Sequence, residues 1–376
     1  MRIGIACYPT MGGSGVVAGE LALDLARRGH EVHVLSYALP FRLRPKPAEI
    51  QFHEIQVSSY PLFRYPPFIL NAACRMSEVA DAARLDILHV HYAVPWAVCA
   101  HLAQEVSAPA DRFKIVTTLH GTDITLVGAE PGFYKMTKFG IEQSDAVTAV
   151  SEYLARETRR TFGITQHIEV IHNSVDSQRF RPRPGRPGRE QFASHGERVM
   201  MHVSNFRPVK NIPMVIEVFA RVRRKLPARL LMVGEGPEVP RARELARARG
   251  VEADVSFLGA YGAVEELLAC ADLFLLPSLY ESFGLAALEA MSCGVPVLAT
   301  QVGGLAEVIS SGVDGWLCCV DDLDGMADRA LELLTDETKR QAMGAAARRK
   351  AAEQFTPTKE VAKYEAVYRR ALGIDG

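Results

Sequence analysis

Pro277-Ser278-Leu279-Tyr280-Glu281-Ser282-Phe283-Gly284-Leu285-Ala286-Ala287-Leu288-Glu289-Ala290-Met291 is the stretch whose reading decides the fold. Ahead of it runs Ala271-Asp272-Leu273-Phe274-Leu275-Leu276, a short apolar run of the kind buried on both faces of a parallel sheet. Behind it, Ser292-Cys293-Gly294 stops a helix and Val295-Pro296-Val297 opens a new strand. Strand, polar loop, helix and strand make one unit of an open α/β sheet. The helix is expected to start near Phe283, with Glu281 just before it and Glu289 about two turns in. Its first turn, at Phe283, Gly284 and Leu285, offers free amides and a positive dipole end to an anion. The two carboxylates can accept hydroxyl hydrogen bonds on either side of that anion, which is the layout of a sugar nucleotide. The plain alternative is a loop glutamate and a solvated helical one. On this stretch alone the two readings stand even.

The same alternation extends in both directions. Toward the amino terminus, strands are expected at 199–204, 228–234 and 255–259, with helices at 214–225, 239–249 and 264–270. Earlier still, a first series begins with a strand at 2–8, the turn Pro9-Thr10-Met11-Gly12-Gly13-Ser14-Gly15, a helix at 16–28 and a strand at 31–36. A basic loop at 41–47 and an aromatic, proline-rich loop at 60–68 follow. Strands at 86–92, 114–119, 145–151 and 168–171 then alternate with helices at 94–105, 134–143 and up to 161. Between the series lies Phe180-Arg181-Pro182-Arg183-Pro184-Gly185-Arg186-Pro187-Gly188-Arg189, without periodicity and rich in turn formers. The expected organisation is a first α/β domain at 1–178, a linker at 179–190 and a second α/β domain at 191–355. A helix at 356–376 is expected to pack back on the first domain. Two such domains place the carboxyl ends of both sheets along a cleft.

Length and composition agree with this. The chain has 376 residues, 48% hydrophobic and 23% charged, which is ordinary for two globular domains. A formal net charge of −1 gives no global field for nucleic acid or acidic membranes. The start of the chain reads as strand and turn, with no cleavage pattern, and no run is long enough to span a bilayer. The seven cysteines are scattered and contain no C-x-x-C, so zinc sites and disulfides are not expected and a reducing cytoplasm is.

Three further constellations carry chemistry. Ser204-Asn205-Phe206-Arg207-Pro208-Val209-Lys210-Asn211 ends a strand with two cations at the start of the next helix. Such cations oppose the helix dipole unless an anion binds between them, and they can neutralise a departing diphosphate; the bland reading is two surface cations. Gly234-Glu235-Gly236-Pro237 and Leu258-Gly259 are glycine turns at successive strand ends, where a flat base can lie against backbone. His120-Gly121-Thr122-Asp123 closes a strand of the first domain, at the carboxyl end where α/β sheets hold ligands; a packed core histidine is the alternative. The glycines at 12, 13 and 15 are too crowded for a dinucleotide fingerprint, and no ribose-binding acid follows the second strand. No D-x-D stands at a strand end; Asp322-Leu323-Asp324 falls in the late helical region, so a metal-free site is expected. There is no nucleophile elbow and no Walker sequence.

As a set, Glu281-x₇-Glu289 around Ser282-Phe283-Gly284-Leu285, Asn205-Phe206-Arg207-x₂-Lys210, Gly234-x-Gly236-Pro237 and Gly294-Val295-Pro296-Val297 resemble the retaining family-4 glycosyltransferases of GT-B fold, over nearly the whole chain. In the first domain, Cys7-Tyr8-Pro9-x₂-Gly12-Gly13-Ser14-Gly15, Tyr65-Pro66-Pro67, His89-Val90-His91-Tyr92-Ala93 and Thr117-Thr118-Leu119-His120-Gly121-Thr122-Asp123 resemble members that begin bacillithiol synthesis. The resemblance implies transfer of GlcNAc from UDP-GlcNAc to the hydroxyl of L-malate with retention, releasing UDP, and no cofactor or metal. It implies that Arg207 and Lys210 hold the diphosphate and Glu289 the ribose. Glu281, Ser282 and the amides of Phe283, Gly284 and Leu285 would meet sugar and phosphate. Gly13 and Ser14 would close over the phosphates, His120 would contact the sugar with Asn173 and Asn205 nearby, and Gly234, Gly236, Leu258 and Gly259 would flank the nucleotide. His120, Arg207, Lys210 and Glu281 are the implied catalytic residues. Ser14, Tyr92, Thr118 and Lys138 are the implied malate contacts; relatives usually carry Arg at the position of Lys138, which keeps the charge but loses the bidentate fork. A transferase with an inositol phosphate or glycan acceptor, and a sugar-nucleotide-binding protein without transfer, stay open, as does a homo-oligomer.

Overall fold

The computed structural model describes residues 1–10, 12–57, 64–108 and 112–374. The chain divides into two compact units, one of Met1–Asn173 with Pro357–Gly376 and one of Ser174–Thr356.

The first unit runs β1 (Arg2–Ala6), α1 (Ser14–Arg27), β2 (Glu31–Ser36), β3 (Ile50–Glu54), α2 (Phe68–Ala83), β4 (Ile87–His91), α3 (Val98–Val106), β5 (Lys114–Leu119), α4 (Pro131–Glu142), β6 (Ala146–Ala149), α5 (Glu152–Phe162) and β7 (Ile168–Val170). Among the described residues these strands form one parallel sheet in the order β3-β2-β1-β4-β5-β6-β7, which reverses between β1 and β4. Ala18, Leu21, Ala22 and Leu25, spaced for one face of a helix, bury α1 on the sheet. The C-terminal helix Pro357–Leu372 enters the same core through Val361, Tyr364, Val367 and Tyr368, beside Ile3, Ile5 and Leu21. Arg28 and His30 both reach its Glu365 at 2.8 Å.

Two local expectations change here. β3 lies between the two loops read from the sequence, in a stretch where the sequence suggests no element. Its Ile-Gln-Phe-His-Glu pattern is short and half exposed because the strand is at the sheet edge. The helix expected from residue 94 starts at Val98, because Val94 precedes a proline and is extended at ψ 132°. Met11 and residues 60–63 of the aromatic loop lie outside the described residues.

The second unit runs β8 (Arg198–Val203), α6 (Ile212–Arg223), β9 (Ala228–Val233), α7 (Val239–Ala248), β10 (Val255–Gly259), α8 (Val264–Cys270), β11 (Leu273–Leu276), α9 (Leu285–Ser292), β12 (Val297–Thr300), α10 (Leu305–Val308), β13 (Gly315–Cys318), α11 (Leu323–Thr335) and α12 (Glu337–Gln354). Its parallel sheet has the order β10-β9-β8-β11-β12-β13, reversing between β8 and β11. Val215, Phe219 and Val222 of α6 pack on Met200, Leu230 and Leu275.

The stretch 179–190 is not a free linker. It lies inside the second unit, whose boundary falls at Ser174, ahead of the expected 178. Arg179 pairs with Glu265 at 3.0 Å and Arg183 with Glu266 at 3.0 Å. Arg186 and Arg189 both reach the fully buried carboxylate of Asp272 at 2.6 Å, at the entry to β11. Burial alone would raise the pKa of Asp272, but these arginines hold it below the usual carboxylate range. The arginine-rich strap is thus pinned to one unit by nonlocal ion pairs.

Candidate active site

In open parallel sheets, ligands bind at the carboxyl ends of strands where the order reverses. In the second unit that place is between β8 and β11, whose loops span residues 204–211 and 277–284. The Leu279 amide donates to the Val209 carbonyl at 2.8 Å and zips the loops together. Lys210 Nζ then meets Glu281 Oε2 at 2.6 Å, with side chains only 18% and 13% exposed. Two residues the sequence separated into diphosphate and sugar contacts are therefore direct partners. Arg207 is exposed and makes no side-chain ion pair among the described residues, and Asn205 is exposed beside it. The cations are not in the first turn of α6. Arg207 is the extended residue ahead of a separate 3₁₀ turn, Pro208–Lys210, which Lys210 ends, and the left-handed Asn211 (φ 51°) separates it from the helix.

His202 on β8, which the sequence did not single out, sets this loop. Its Nδ1 lies 2.8 Å from the Leu275 carbonyl, which only accepts, so Nδ1 carries the proton. Nε2 therefore accepts from the Ser204 hydroxyl at 2.7 Å, and Ser204 Oγ accepts from the Phe206 amide at 3.2 Å. Burial, with Lys210 contributing, pushes the His202 imidazolium down to about 4, so the relay is neutral. Phe206 is buried in a left-handed conformation (φ 39°), its ring stacked 5.9 Å from His202.

The helix of the decisive stretch starts at Leu285, after Gly284 at φ 102°, later than the sequence suggests. Glu289 is therefore in its second turn and half buried. Ser282 is half buried, whereas the Phe283 side chain is core, edge-on to Phe355 at 5.8 Å. Behind Glu281, the Gly304 amide donates to its carbonyl at 3.0 Å, and a side chain on Gly303 would strike that oxygen at 1.8 Å. Gly234 and Gly236 have a similar structural reason. A Cβ there would meet the Ser204 and Asn205 carbonyls at 1.8 and 2.0 Å, so these glycines let one loop lie on the other. Leu258 and Gly259 lie at a register shift of edge strand β10, and the Gly259 carbonyl accepts from the Gly234 amide at 2.8 Å.

In the first unit the reversal lies between β1 and β4. Gly13 is exposed and left-handed (φ 56°) at the mouth of α1, with Ser14 as its first residue, 5% exposed. Tyr92 follows β4 at φ 92°, half buried, its ring 5.7 Å from Tyr8 and 5.2 Å from His120. His120 is 9% exposed and its Nε2 meets His91 Nδ1 at 2.8 Å. Burial pushes His120 and His89 down to about 3 and His91 well below its ordinary value, so all three are neutral. Asp123, given no role from sequence, joins the loops: it accepts from the amides of Ala93, His120 and Gly121 at 3.0, 3.2 and 2.9 Å. Burial nevertheless pushes its carboxyl up to about 6.

Two expected acceptor contacts are not brought to this surface. Thr118 is fully buried, its hydroxyl 2.7 Å from His89 Nε2 and 2.6 Å from the Thr148 hydroxyl. His89 Nδ1 in turn lies 2.7 Å from the Tyr368 hydroxyl of the C-terminal helix. Lys138 lies on the α5 side of α4, 3.5 Å from Glu142 and near Gly163, whereas Gly140 faces Ala93 and Ala97 and Thr137 lies beside Gly128. Asn173 is 8% exposed, with Oδ1 unpartnered among the described residues. The D-x-D aspartate Asp322 caps α11, accepting from the Gly325 amide at 2.8 Å.

Two Rossmann-like parallel-sheet units with C-terminal helices make up the GT-B fold. The model for Glycosyltransferase Family 4 matches residues 11–179 and that for Glycosyl transferases group 1 matches 188–350, and the chain belongs to this family. It is 46% identical over 376 residues to the N-acetyl-alpha-D-glucosaminyl L-malate synthase of Bacillus anthracis, covering 100% of this chain and 98% of that one. A D-inositol 3-phosphate glycosyltransferase of Mycobacterium bovis is 30% identical, covering 96% of this chain and 79% of that one. The fold matches Anabaena Alr3699/HepE, solved with UDP and glucose, with a TM-score of 0.83 and 21% identity, covering 98% of this chain and 99% of that one. Among the described residues no helix is long and apolar enough to cross a membrane.

Proposed function

We propose that the chain transfers GlcNAc from UDP-GlcNAc to the hydroxyl of L-malate with retention at the anomeric carbon, giving N-acetyl-α-D-glucosaminyl L-malate and UDP. The observation that carries this reading is the 46% identity, end to end, to a relative named for that product. The bond from the anomeric carbon to the diphosphate breaks and the bond to the malate oxygen forms on the same face. The malate proton goes to the departing phosphate oxygen. Arg207 and Lys210 neutralise the charge that grows on that phosphate, without a metal. Glu281 steadies the Lys210 ammonium and accepts from a sugar hydroxyl, while Glu289 accepts from the ribose. The amides at 283–285 and Gly13 approach the phosphates, and Asn173 and Asn205 serve the donor. His120, neutral, contacts the sugar, and Ser14 and Tyr92 face malate. Positioning and electrostatics then supply most of the rate. The reading is of a cytoplasmic enzyme, in keeping with seven free cysteines.

A second acceptor has its own support in the 30% identity to the inositol phosphate enzyme. UDP release from UDP-GlcNAc, measured with malate, with inositol phosphate and with no acceptor, separates the two. Malate is expected to give the fastest release and a GlcNAc–malate product by mass spectrometry. Faster release with inositol phosphate would overturn the malate reading.

A further inference from the structure

We propose that His91 is a positioning residue. It donates from Nδ1 to His120 Nε2 and so fixes His120 as the neutral tautomer that carries its proton on Nδ1. The consequence for turnover rests on the transferase reading above; the tautomer does not.

His91 ends β4 fully buried, with the ring of His89 at 4.6 Å on one side and that of His120, met edge to edge, at 5.0 Å. His91 Nδ1 and His120 Nε2 are 2.8 Å apart, so one of the two carries the shared proton. Both rings are neutral, which leaves each with one N–H and one bare nitrogen. Two arrangements follow. If His120 donates from Nε2, the His91 proton sits on its own Nε2, a buried atom with no partner among the described residues. If His91 donates from Nδ1, the buried orphan is a bare ring nitrogen instead. A buried N–H without an acceptor is the rarer and more costly of the two, so the second arrangement holds. His120 then keeps its proton on Nδ1, the ring nitrogen left for a ligand on a side chain that retains 9% exposure. A hydrogen-bond donor without charge suits a sugar oxygen. His91 thus decides whether His120 offers the ligand a donor or an acceptor, without touching the ligand itself.

The test begins with the wild-type protein carrying ¹⁵N-labelled histidine, with one- and two-bond nitrogen–proton correlations recorded near neutral pH. The His120 signals are assigned by their loss in His120→Gln. Protonation of His120 at Nδ1 is expected; protonation at Nε2 overturns the proposal. This readout does not depend on which acceptor the enzyme uses, so it fails or stands apart from the transferase reading. The kinetic arm compares His91→Leu, which removes the donor, with His91→Asn, which keeps an N–H near the Nδ1 position. His91→Leu is expected to lower kcat about tenfold, the equivalent of one hydrogen bond. His91→Asn is expected to restore most of that loss, with KM for UDP-GlcNAc little changed in either. Wild-type kcat in His91→Leu, or no rescue by asparagine in a folded protein, contradicts the positioning role. Should both variants melt early, the wild-type spectrum alone decides.

Discussion

The two sheets reverse order at the same kind of place and furnish it with opposite electrostatics. Beyond β8 and β11 stand Arg207, Lys210 and Glu281, with the cations on short turns at the rim. At the end of β4, beside the β1/β4 reversal, stand His89 and His91, with His120 just past β5, all neutral, and an Asp123 carboxyl pushed up to about 6. The scaffold is shared; what differs is how deeply the strand ends are covered. In the first unit the C-terminal helix and the turns after β4 and β5 close over the strand ends, so burial selects uncharged forms. In the second the loops stay near solvent, with Arg207 exposed and Lys210 paired with Glu281. A diphosphate suits the second kind of place, and uncharged sugar hydroxyls suit the first.

The sharpest way to break the comparison is at Lys210. Lys210→Met removes the proposed leaving-group cation and leaves the Glu281 carboxylate without its partner, so kcat/KM is expected to fall about 10²-fold or more. Glu281→Gln keeps hydrogen-bonding capacity and should cost less. In the double variant the losses should be less than additive, because the two side chains act as one unit. Strict additivity in steady-state kinetics would say that the pair is incidental.

The next contrast is in pH. A histidine with a depressed folded pKa contributes stability above its unfolded value near 6.5 and loses it as pH falls toward the folded value. His89 and His120, at about 3, and His91, well below its ordinary value, all act in this sense, as does His202 at about 4. Asp123 has the opposite sign: its raised pKa contributes below about 3.8 and is lost as pH rises through about 6. Each group contributes a slope of about 1.4 kcal/mol per pH unit within its window. These four histidines against one carboxyl predict that stability rises from pH 4 to 6.5. Denaturant titrations across that range check the sign, and a flat or falling profile would contradict burial of the neutral imidazoles.

A smaller effect separates Thr118 of β5 from substrate binding. Thr118→Val should lower stability by about 1–3 kcal/mol, because it leaves His89 without its hydroxyl partner, while the malate KM stays near that of the wild type. Least of all should follow Lys138→Ala, whose partner Glu142 is exposed; malate KM is expected to hold within about twofold. A large rise in malate KM in either variant would return these residues to the acceptor site.

These expectations show where the sequence was informative. The α/β rhythm could be read because strands covered on both faces, such as Leu273–Leu276, are unbroken apolar runs. That same property hides orientation. With no alternation in Lys114–Leu119, nothing in the sequence says that Thr118 faces His89 and Thr148 while Thr117 faces Ser144. The edge strand Ile50–Glu54 escaped notice because half-exposed polar residues interrupt it. The strap at 179–190 read as a linker because its partners, Glu265 and Asp272, lie some 85 residues away in sequence. Lys210 and Glu281 were each recognisable as site residues. Their pairing, across 71 residues, depends on β8 and β11 being neighbours.

The central claim is that the charged reversal of the second unit is a diphosphate site. Calorimetric affinities of UDP and UMP, measured on the wild type and on Arg207→Ala/Lys210→Met, test it most directly. UDP is expected to bind wild-type protein at least about tenfold more tightly than UMP, a gap of one or more charge-assisted hydrogen bonds, and the gap should collapse in the double variant. Equal affinities in the wild type, or a gap that survives the loss of both cations, would contradict the account.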